Sequence, residues 1–312
     1  MAGPIDPEIA AWLRDFPAPD VDYRDIDAVR GLFADYMADE GGPAPRWPRD
    51  DVELSTMSVG GVSALMWRPR RIDRPLPVVL AFHGGAFIVG APLGAERIAV
   101  PLAATHGVCT VSVGYRLAPE HPAPAALDDA KRALAGLASI PGIDVDRVVV
   151  HGSSAGAALA AGLALHARDI RLPIALQSLS CPALDCRTPA TTDEGHSMRG
   201  LSPTLSRESV EAMWQHYLAD ASLSSEGMSY VVPALAADVS GVAPAHITVA
   251  ECDVLRDEGI DYARRLRQAG VTVGVDHVAG AVHGFDGLLP DGALARAALA
   301  KQVEAIVSAV TD

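Results

Sequence analysis

The chain has 312 residues, with 25 basic and 39 acidic side chains for a formal net charge of −14, and it is 49% hydrophobic and 21% charged. That apolar fraction excludes a disordered chain. The acidity argues against a nucleic-acid binder, which needs cations facing phosphates, and against a protein held by charge on anionic lipid. The length suits one large α/β domain or two small ones. Cys109, Cys181, Cys186 and Cys252 form no C-x-x-C pair and read as small buried thiols, neither a disulfide frame nor a zinc site. The opening sequence MAGPIDPEIA carries acids where a secretory signal would be basic. The longest apolar runs, such as Ala157 to Leu165, fall well short of the roughly 18 residues of a membrane span. The expectation is a soluble cytoplasmic protein without stable membrane association.

In chain order, Ile9, Ala10, Trp12 and Leu13, then Ile26, Val29, Leu32, Phe33 and Tyr36, recur at helical spacing and predict two amphipathic N-terminal helices ended at Gly41-Gly42-Pro43. From Asp51 onward strand and helix patterns alternate. Val62 to Arg68 alternates loosely, and Pro77 to Phe82 is a continuous apolar run of the kind buried on both faces of a sheet. Val108 to Val113 predicts another strand, Ala125 to Leu137 a helix, Arg147 to Val150 a strand and Ala155 to Ala167 an Ala-rich helix. Strands follow at Ile174 to Leu179 and Ala245 to Ala250, a helix at Asp261 to Ala269, a strand at Val271 to Val278 and a closing helix at Gly292 to Val310. Such alternation predicts a mostly parallel, doubly wound sheet flanked by helices.

One segment breaks the rhythm. Between Leu179 and Ala245 lies a long connection with a polar stretch, Arg187 to Ser209, and a helix, Glu208 to Ala219, presenting Val210, Met213, Trp214, Tyr217 and Leu218 on one face. Connections this long are usually functional. The expected organisation is therefore a helical cap built from residues 1–48 and an insertion at about 187–228, over a catalytic domain spanning 49–312.

The strongest chemical signal is Gly152-Ser153-Ser154-Ala155-Gly156, between a buried strand and a helix. A serine in such a sharp turn is held clear of the sheet, and glycines two residues to either side let strand and helix approach. Only Ser154 has glycine at both offsets. A serine hydroxyl needs a base to accept its proton, and functional groups gather where strands end. His283 lies just beyond the last strand, whereas His277 is inside it, and His121, His166 and His216 fall in turns or helices. The base in turn needs a carboxylate to fix its tautomer. Asp253 directly follows its strand, while Asp257 and Glu258 lie one turn further on and read as braces for the next helix. Glu251 and Asp276 are the remaining acids near these strands. Finally, His83-Gly84-Gly85-Ala86-Phe87 follows the third strand, where small residues leave amides free to face a developing oxyanion. Gly84 belongs to this loop, and the amides of Gly85, Ala86 and Ala155 are the expected donors.

With these blocks in place, the sequence resembles the hormone-sensitive-lipase family of bacterial esterases, the α/β-hydrolase fold-3 group. The resemblance rests on His83 to Phe87, Tyr115-Arg116-Leu117-Ala118-Pro119-Glu120, Gly152 to Gly156, Asp253 to Gly259 and His283-Gly284-Phe285, in order over roughly residues 50 to 310. The Asp253 to Gly270 stretch is similar to the subgroup that contains the bacterial heroin esterase. The resemblance implies an α/β-hydrolase fold with a cap, a Ser154–Asp253–His283 triad and an oxyanion hole at Gly85, Ala86 and Ala155. Two departures stand out. Ala86 replaces a usual glycine, which is acceptable only at negative φ. Ser153 stands where Asp is frequent. Arg116 and Asp128 are expected to brace the top of the sheet.

The implied reaction is hydrolysis of short- to medium-chain carboxylic esters through an acyl-enzyme, with a small-molecule ester as partner and no metal or organic cofactor. Within a cap, Trp214 and Tyr217 either line the acyl pocket or anchor the cap to the core. The same triad cleaves amides, so an amidase or peptidase is the alternative enzyme. A ligand-binding protein on this scaffold, marked by loss of the histidine, is the non-enzymatic one. Strand Val271 to Val278 at the sheet edge leaves a homodimer open, although Asp276 and His277 place charge there.

Overall fold

A computed structural model describes residues 4–16, 21–38, 50–71, 74–187, 202–219 and 221–311. The Gly41-Gly42-Pro43 turn and most of the polar stretch after Arg187 lie outside the described residues. In chain order the helices are α1 (Pro7–Asp15), α2 (Ile26–Ala38), α3 (Glu96–His106), α4 (Ala125–Gly136), α5 (Ala155–Asp169), α6 (Arg207–Leu218), α7 (Ser225–Val231), α8 (Arg256–Gln268), α9 (Phe285–Leu288) and α10 (Ala293–Val310). The strands are β1 (Val52–Val59), β2 (Val62–Pro69), β3 (Leu76–Phe82), β4 (Cys109–Val113), β5 (Ile143–Ser153), β6 (Leu176–Ser180), β7 (Ala245–Cys252) and β8 (Val273–Val282).

The strands form one sheet in the order β1-β2-β4-β3-β5-β6-β7-β8. β2 runs antiparallel to both β1 and β4, and every other pairing is parallel. The apolar run predicted as a doubly covered strand is one: every residue of β3 is buried. Each such Leu, Val or Phe contributes about 2 kcal/mol by leaving water. One face of the sheet packs residues of α4, α5 and α8, with those of α6 and α7 joining the same core. The other face packs α3 and α10. This is the doubly wound α/β architecture that the alternating pattern predicts.

Four elements have no counterpart in the sequence pattern: β1, α3, α7 and α9. β1 was not expected because its residues alternate between exposed and half-buried at one edge of the sheet, with polar Glu53, Ser55, Thr56 and Ser58 inside the run. α3 carries Pro101 within the helix, a residue that ordinarily argues against helix. α8 starts at Arg256, ahead of the predicted Asp261, so it follows the Asp253 loop at once.

Arg116 and Asp128, both expected to brace the top of the sheet, have different partners. The Arg116 guanidinium holds Asp129, with Nε 3.0 Å from both carboxylate oxygens and Nη2 2.8 Å from Oδ1. Asp129 is 1% exposed and also pairs with Arg132. Asp128 instead faces Lys131 at 3.7 Å. The 100° step between helical neighbours puts Asp129, not Asp128, on the inward face of α4.

Candidate active site

Ser154 sits at φ 53° and ψ −119° between β5 and α5. This is a strained conformation for a residue with a Cβ, imposed by how tightly strand and helix cross. A Cβ at position 152 would lie 2.1 Å from the Gly156 carbonyl oxygen. At position 156 it would lie 2.2 Å from the Phe82 oxygen and 2.4 Å from the His83 oxygen. Both glycines are therefore demanded by close backbone approach, as the spacing implies.

The loops directly after β7 and β8 bring the other two groups to this serine. His283 Nδ1 lies 2.8 Å from Asp253 Oδ2, and His283 Nε2 lies 3.1 Å from Ser154 Oγ. A carboxylate only accepts, so Nδ1 donates to Asp253 and the neutral Nε2 accepts from the hydroxyl. Asp253 is 1% exposed, and its second oxygen accepts the Leu255 amide at 2.9 Å. Burial alone would lower the pKa of His283. The charge of Asp253, its hydrogen bond and the charge of Asp286 outweigh that, and the imidazole is held above its ordinary value.

The other weighed acids and histidines do not converge here. Glu251 Oε2 accepts the Gly280 amide at 2.8 Å, Asp257 pairs with Arg256, and Asp276 pairs with Lys301. His216 Nε2 donates to the Tyr23 carbonyl at 3.0 Å. Glu258 does not brace its own helix. Its Oε1 accepts the Leu184 amide at 2.6 Å, tying the loop after β6 to α8. Burial pushes its carboxyl well above the usual range, with the nearby acids adding to the effect and the amide hydrogen bonds opposing it.

The loop His83 to Phe87 lies against the serine turn: a Cβ on Gly84 would be 3.2 Å from the Ser153 carbonyl oxygen and 3.5 Å from Ser154 Cβ. Tyr115 donates to the His83 carbonyl at 2.7 Å and stacks on the His83 ring at 4.2 Å. Burial lowers the His83 pKa to about 4, against the opposing hydrogen bond to Gly84, so this ring is neutral. Its Nδ1 donates to the Gly84 carbonyl at 2.7 Å. Among the described residues, the amides of Gly85 and Ala86 make no loop hydrogen bond to backbone. Ala155 opens α5, where the first amides have no intrahelical acceptor.

The condition under which alanine sits without strain at position 86, a negative φ, is not met. Gly85, Ala86 and Phe87 follow one another at φ 120°, 53° and 62°. An L-residue held there costs about 1 kcal/mol or more, so the chain around the loop must over-determine it. The amides of Ile88 and Val89 both bond the Gly85 carbonyl, at 3.0 and 2.9 Å, and the Ala118 amide bonds the Phe87 carbonyl at 2.9 Å.

One group of potential metal ligands is found among the described residues: Cys181, Asp253 and His283, with ligand atoms within 4.8 Å of one another. The donor set does not suit a metal. Both imidazole nitrogens are already engaged, and burial, then the charges of Asp253 and Asp286, raises the Cys181 thiol well above its ordinary range, leaving it protonated. The proximity of Cys181 to His283 gave no sign in the sequence, where Cys181 is a lone residue after β6. Tyr115 stood in a motif without an assigned role. Its hydroxyl could be placed only once β4 and β3 were seen side by side.

Trp214 and Tyr217 are both buried, at 3% and 0% exposed. The Tyr217 ring lies flat on Phe87, centroids 3.7 Å apart and planes 3° from parallel. They anchor α6 to the core beside the glycine loop.

A family model described as the alpha/beta hydrolase fold matches residues 79–287. Carboxylesterase NlhH of Mycobacterium tuberculosis is 33% identical over 296 residues, covering 90% of this chain and 88% of that protein. Ethyl acetate hydrolase of Pseudomonas putida is 34% identical over 246 residues, covering 75% and 74%. Among solved structures, Bacterial Heroin Esterase superposes with a TM-score of 0.87 at 34% identity, over 99% of this chain and 98% of that one.

Proposed function

This chain belongs to the alpha/beta hydrolase family, and on that premise we propose that Ser154, His283 and Asp253 are its nucleophile, general base and orienting acid. The protein is a carboxylic ester hydrolase. The observation that carries the residue assignment is the continuous line Ser154 Oγ–His283–Asp253 at 3.1 and 2.8 Å.

In the proposed sequence of steps, Ser154 Oγ attacks the ester carbonyl carbon while His283 Nε2 takes the hydroxyl proton. Asp253 keeps Nδ1–H pointed at itself and stabilises the imidazolium that forms. The carbonyl oxygen, now an anion, is received by the amides of Gly85, Ala86 and Ala155. Gly84 brings that loop against the serine. The tetrahedral intermediate collapses, the carbon–oxygen bond to the alcohol breaks, and His283 gives its proton to the leaving alkoxide. Water then repeats the cycle on the acyl-serine, with His283 as base and Ser154 as leaving group.

The substrates we propose are small esters of short to medium acyl chain, in line with a relative named for hydrolysing ethyl acetate. Residues 1–48 together with the insertion at about 187–228 form the proposed cap, supported where described by the hydrogen bond from His216 of α6 to Tyr23. No helix among the described residues is long and apolar enough to cross a membrane. Four cysteines without a disulfide support a reducing, cytoplasmic compartment.

Turnover of a p-nitrophenyl ester series from acetate to laurate tests the reading. Activity is expected to fall towards laurate, and Ser154→Ala is expected to remove nearly all of it while the protein stays folded. A folded Ser154→Ala protein with retained turnover would refute the assignment.

A further inference from the structure

The loop from Gly85 to Phe87 holds three positive φ values in succession, two of them on residues with a Cβ. Its course is therefore set by what surrounds it. Two side chains from distant parts of the chain close on it. From α6, Tyr217 lays its ring on Phe87 at 3.7 Å, with Trp214 beside it at 5.5 Å from the same ring. From α2, Arg30 donates from Nε to the Ile88 carbonyl at 3.2 Å and from Nη2 to the Ala118 carbonyl at 3.1 Å, while its guanidinium forks onto both oxygens of Glu120 at 2.5 and 2.7 Å. Ala118 is the residue whose own amide bonds the Phe87 carbonyl, so Arg30 grips both sides of the same turn.

The segment carrying Tyr217 also reaches the base. Thr204, just ahead of α6, donates to the His283 carbonyl at 2.9 Å. Tyr217 itself has no exposed surface and its hydroxyl has no partner among the described residues. A buried phenol without a partner is a cost, so the ring face and not the hydroxyl accounts for an aromatic residue at this place.

Resting on the esterase reading above, we propose that Tyr217 and Arg30 are positioning residues which hold the Gly85–Ala86 amides where the oxyanion forms, by clamping Phe87 and Ile88 from opposite elements. Loosening either clamp lets the loop relax from its left-handed course. The loss then falls on the transition state, where the oxyanion exists, and not on ground-state binding.

The test compares wild type with Tyr217→Leu, Tyr217→Phe and Arg30→Met on p-nitrophenyl acetate, together with inhibition by a trifluoromethyl ketone whose serine adduct carries the oxyanion. Tyr217→Leu and Arg30→Met are expected to lower kcat about tenfold with KM within about twofold, less than the 10²–10³ lost when a donor is removed outright. The inhibition constant of the ketone should rise in step with the loss of kcat. Tyr217→Phe, which keeps the ring, should restore turnover to within about twofold of wild type. Wild-type kcat in a folded Tyr217→Leu protein, or a raised KM at unchanged kcat, would overturn the inference. If Tyr217→Leu does not fold, Arg30→Met decides by the same criteria. A wild-type protein inert to esters would instead bring down the parent reading.

Discussion

Gly156→Ala probes whether the approach of α5 to the end of β3 sets the geometry of the site. The added methyl would meet the Phe82 oxygen at 2.2 Å and the His83 oxygen at 2.4 Å. Restoring an ordinary contact of about 3.4 Å requires the helix start and the strand end to separate by about 1.2 Å. Helix propensity favours alanine by about 1 kcal/mol, but both obstacles are backbone carbonyls that cannot swing away. Overpacking of this kind costs about 1–3 kcal/mol of stability. The separation pulls the Ala155 amide from those of Gly85 and Ala86, and a misplacement of about 1 Å costs roughly 10² in rate. The expected result is a folded protein with kcat/KM down about a hundredfold on p-nitrophenyl acetate, equivalent to about 2.7 kcal/mol of transition-state stabilisation. Gly287→Ala, where nothing lies within 4 Å, serves as the comparison in the same assay and in urea unfolding. A folded Gly156→Ala protein within about threefold of wild type would refute the argument that this contact positions the amides.

The pH dependence follows from His283, which in the proposed mechanism must be neutral to accept the serine proton. Its pKa is raised, so the acid limb of kcat/KM should have its midpoint above 6.5. Asp253→Asn should lower kcat and carry that midpoint downward. A wild-type midpoint below 6.5 would contradict the geometry. Because the folded-state pKa lies above the unfolded one, the stabilisation from the His283–Asp253 pair is fully present below about pH 6.5 and is lost as pH rises through the folded value. Thermal unfolding of wild type and Asp253→Asn should therefore differ most on the acid side. Glu258 gives a contrasting case. Its carboxyl is raised well above 4.5, so the folded state holds the proton more tightly and wild-type stability should decline as pH rises past about 4.5. Glu258→Gln keeps a neutral acceptor for the Leu184 amide and should remove that decline. Parallel dependence of the two proteins' melting temperatures on pH above about 4.5 would show that the Glu258 carboxyl is not raised.

The sheet was legible because its buried strands carry apolar cores, continuous in β3 and in Val148 to Val150 of β5, and because helical patterns alternate with several of them. The same logic failed at β1, which lies at an edge and keeps polar side chains in water. It failed again at α3, where Pro101 reads as a break but the surrounding Ile98, Ala99, Leu102 and Ala103 are buried against the sheet. The three groups around Ser154 could be picked out because each follows directly on a strand, and strand ends converge at one edge of the layer. The restraints on the glycine loop could not. Arg30 is a lone basic residue in an amphipathic helix, and Tyr217 one aromatic among several on its face. Nothing local distinguishes a residue whose partner is 88 or 90 positions away. Asp129 illustrates the intermediate case: the sequence reading reached its helix through the neighbouring Asp128, and the rotation of that helix places Asp129 on Arg116.

The outermost position of β8 carries a consequence for how this catalyst wears out. Among the described residues β8 has β7 as its one neighbouring strand, with single hydrogen bonds from Asp6 and Arg267 to its Gly280 and Val273 carbonyls, and His283 hangs from the loop at its end. Peripheral strands fray at a fraction of the free energy needed to melt the interior, so warming should silence turnover while the bulk of the sheet is still intact. Durability and melting temperature are then separate properties in this molecule, and stitching β8 more firmly to its neighbour would lengthen working life without any need to strengthen the core.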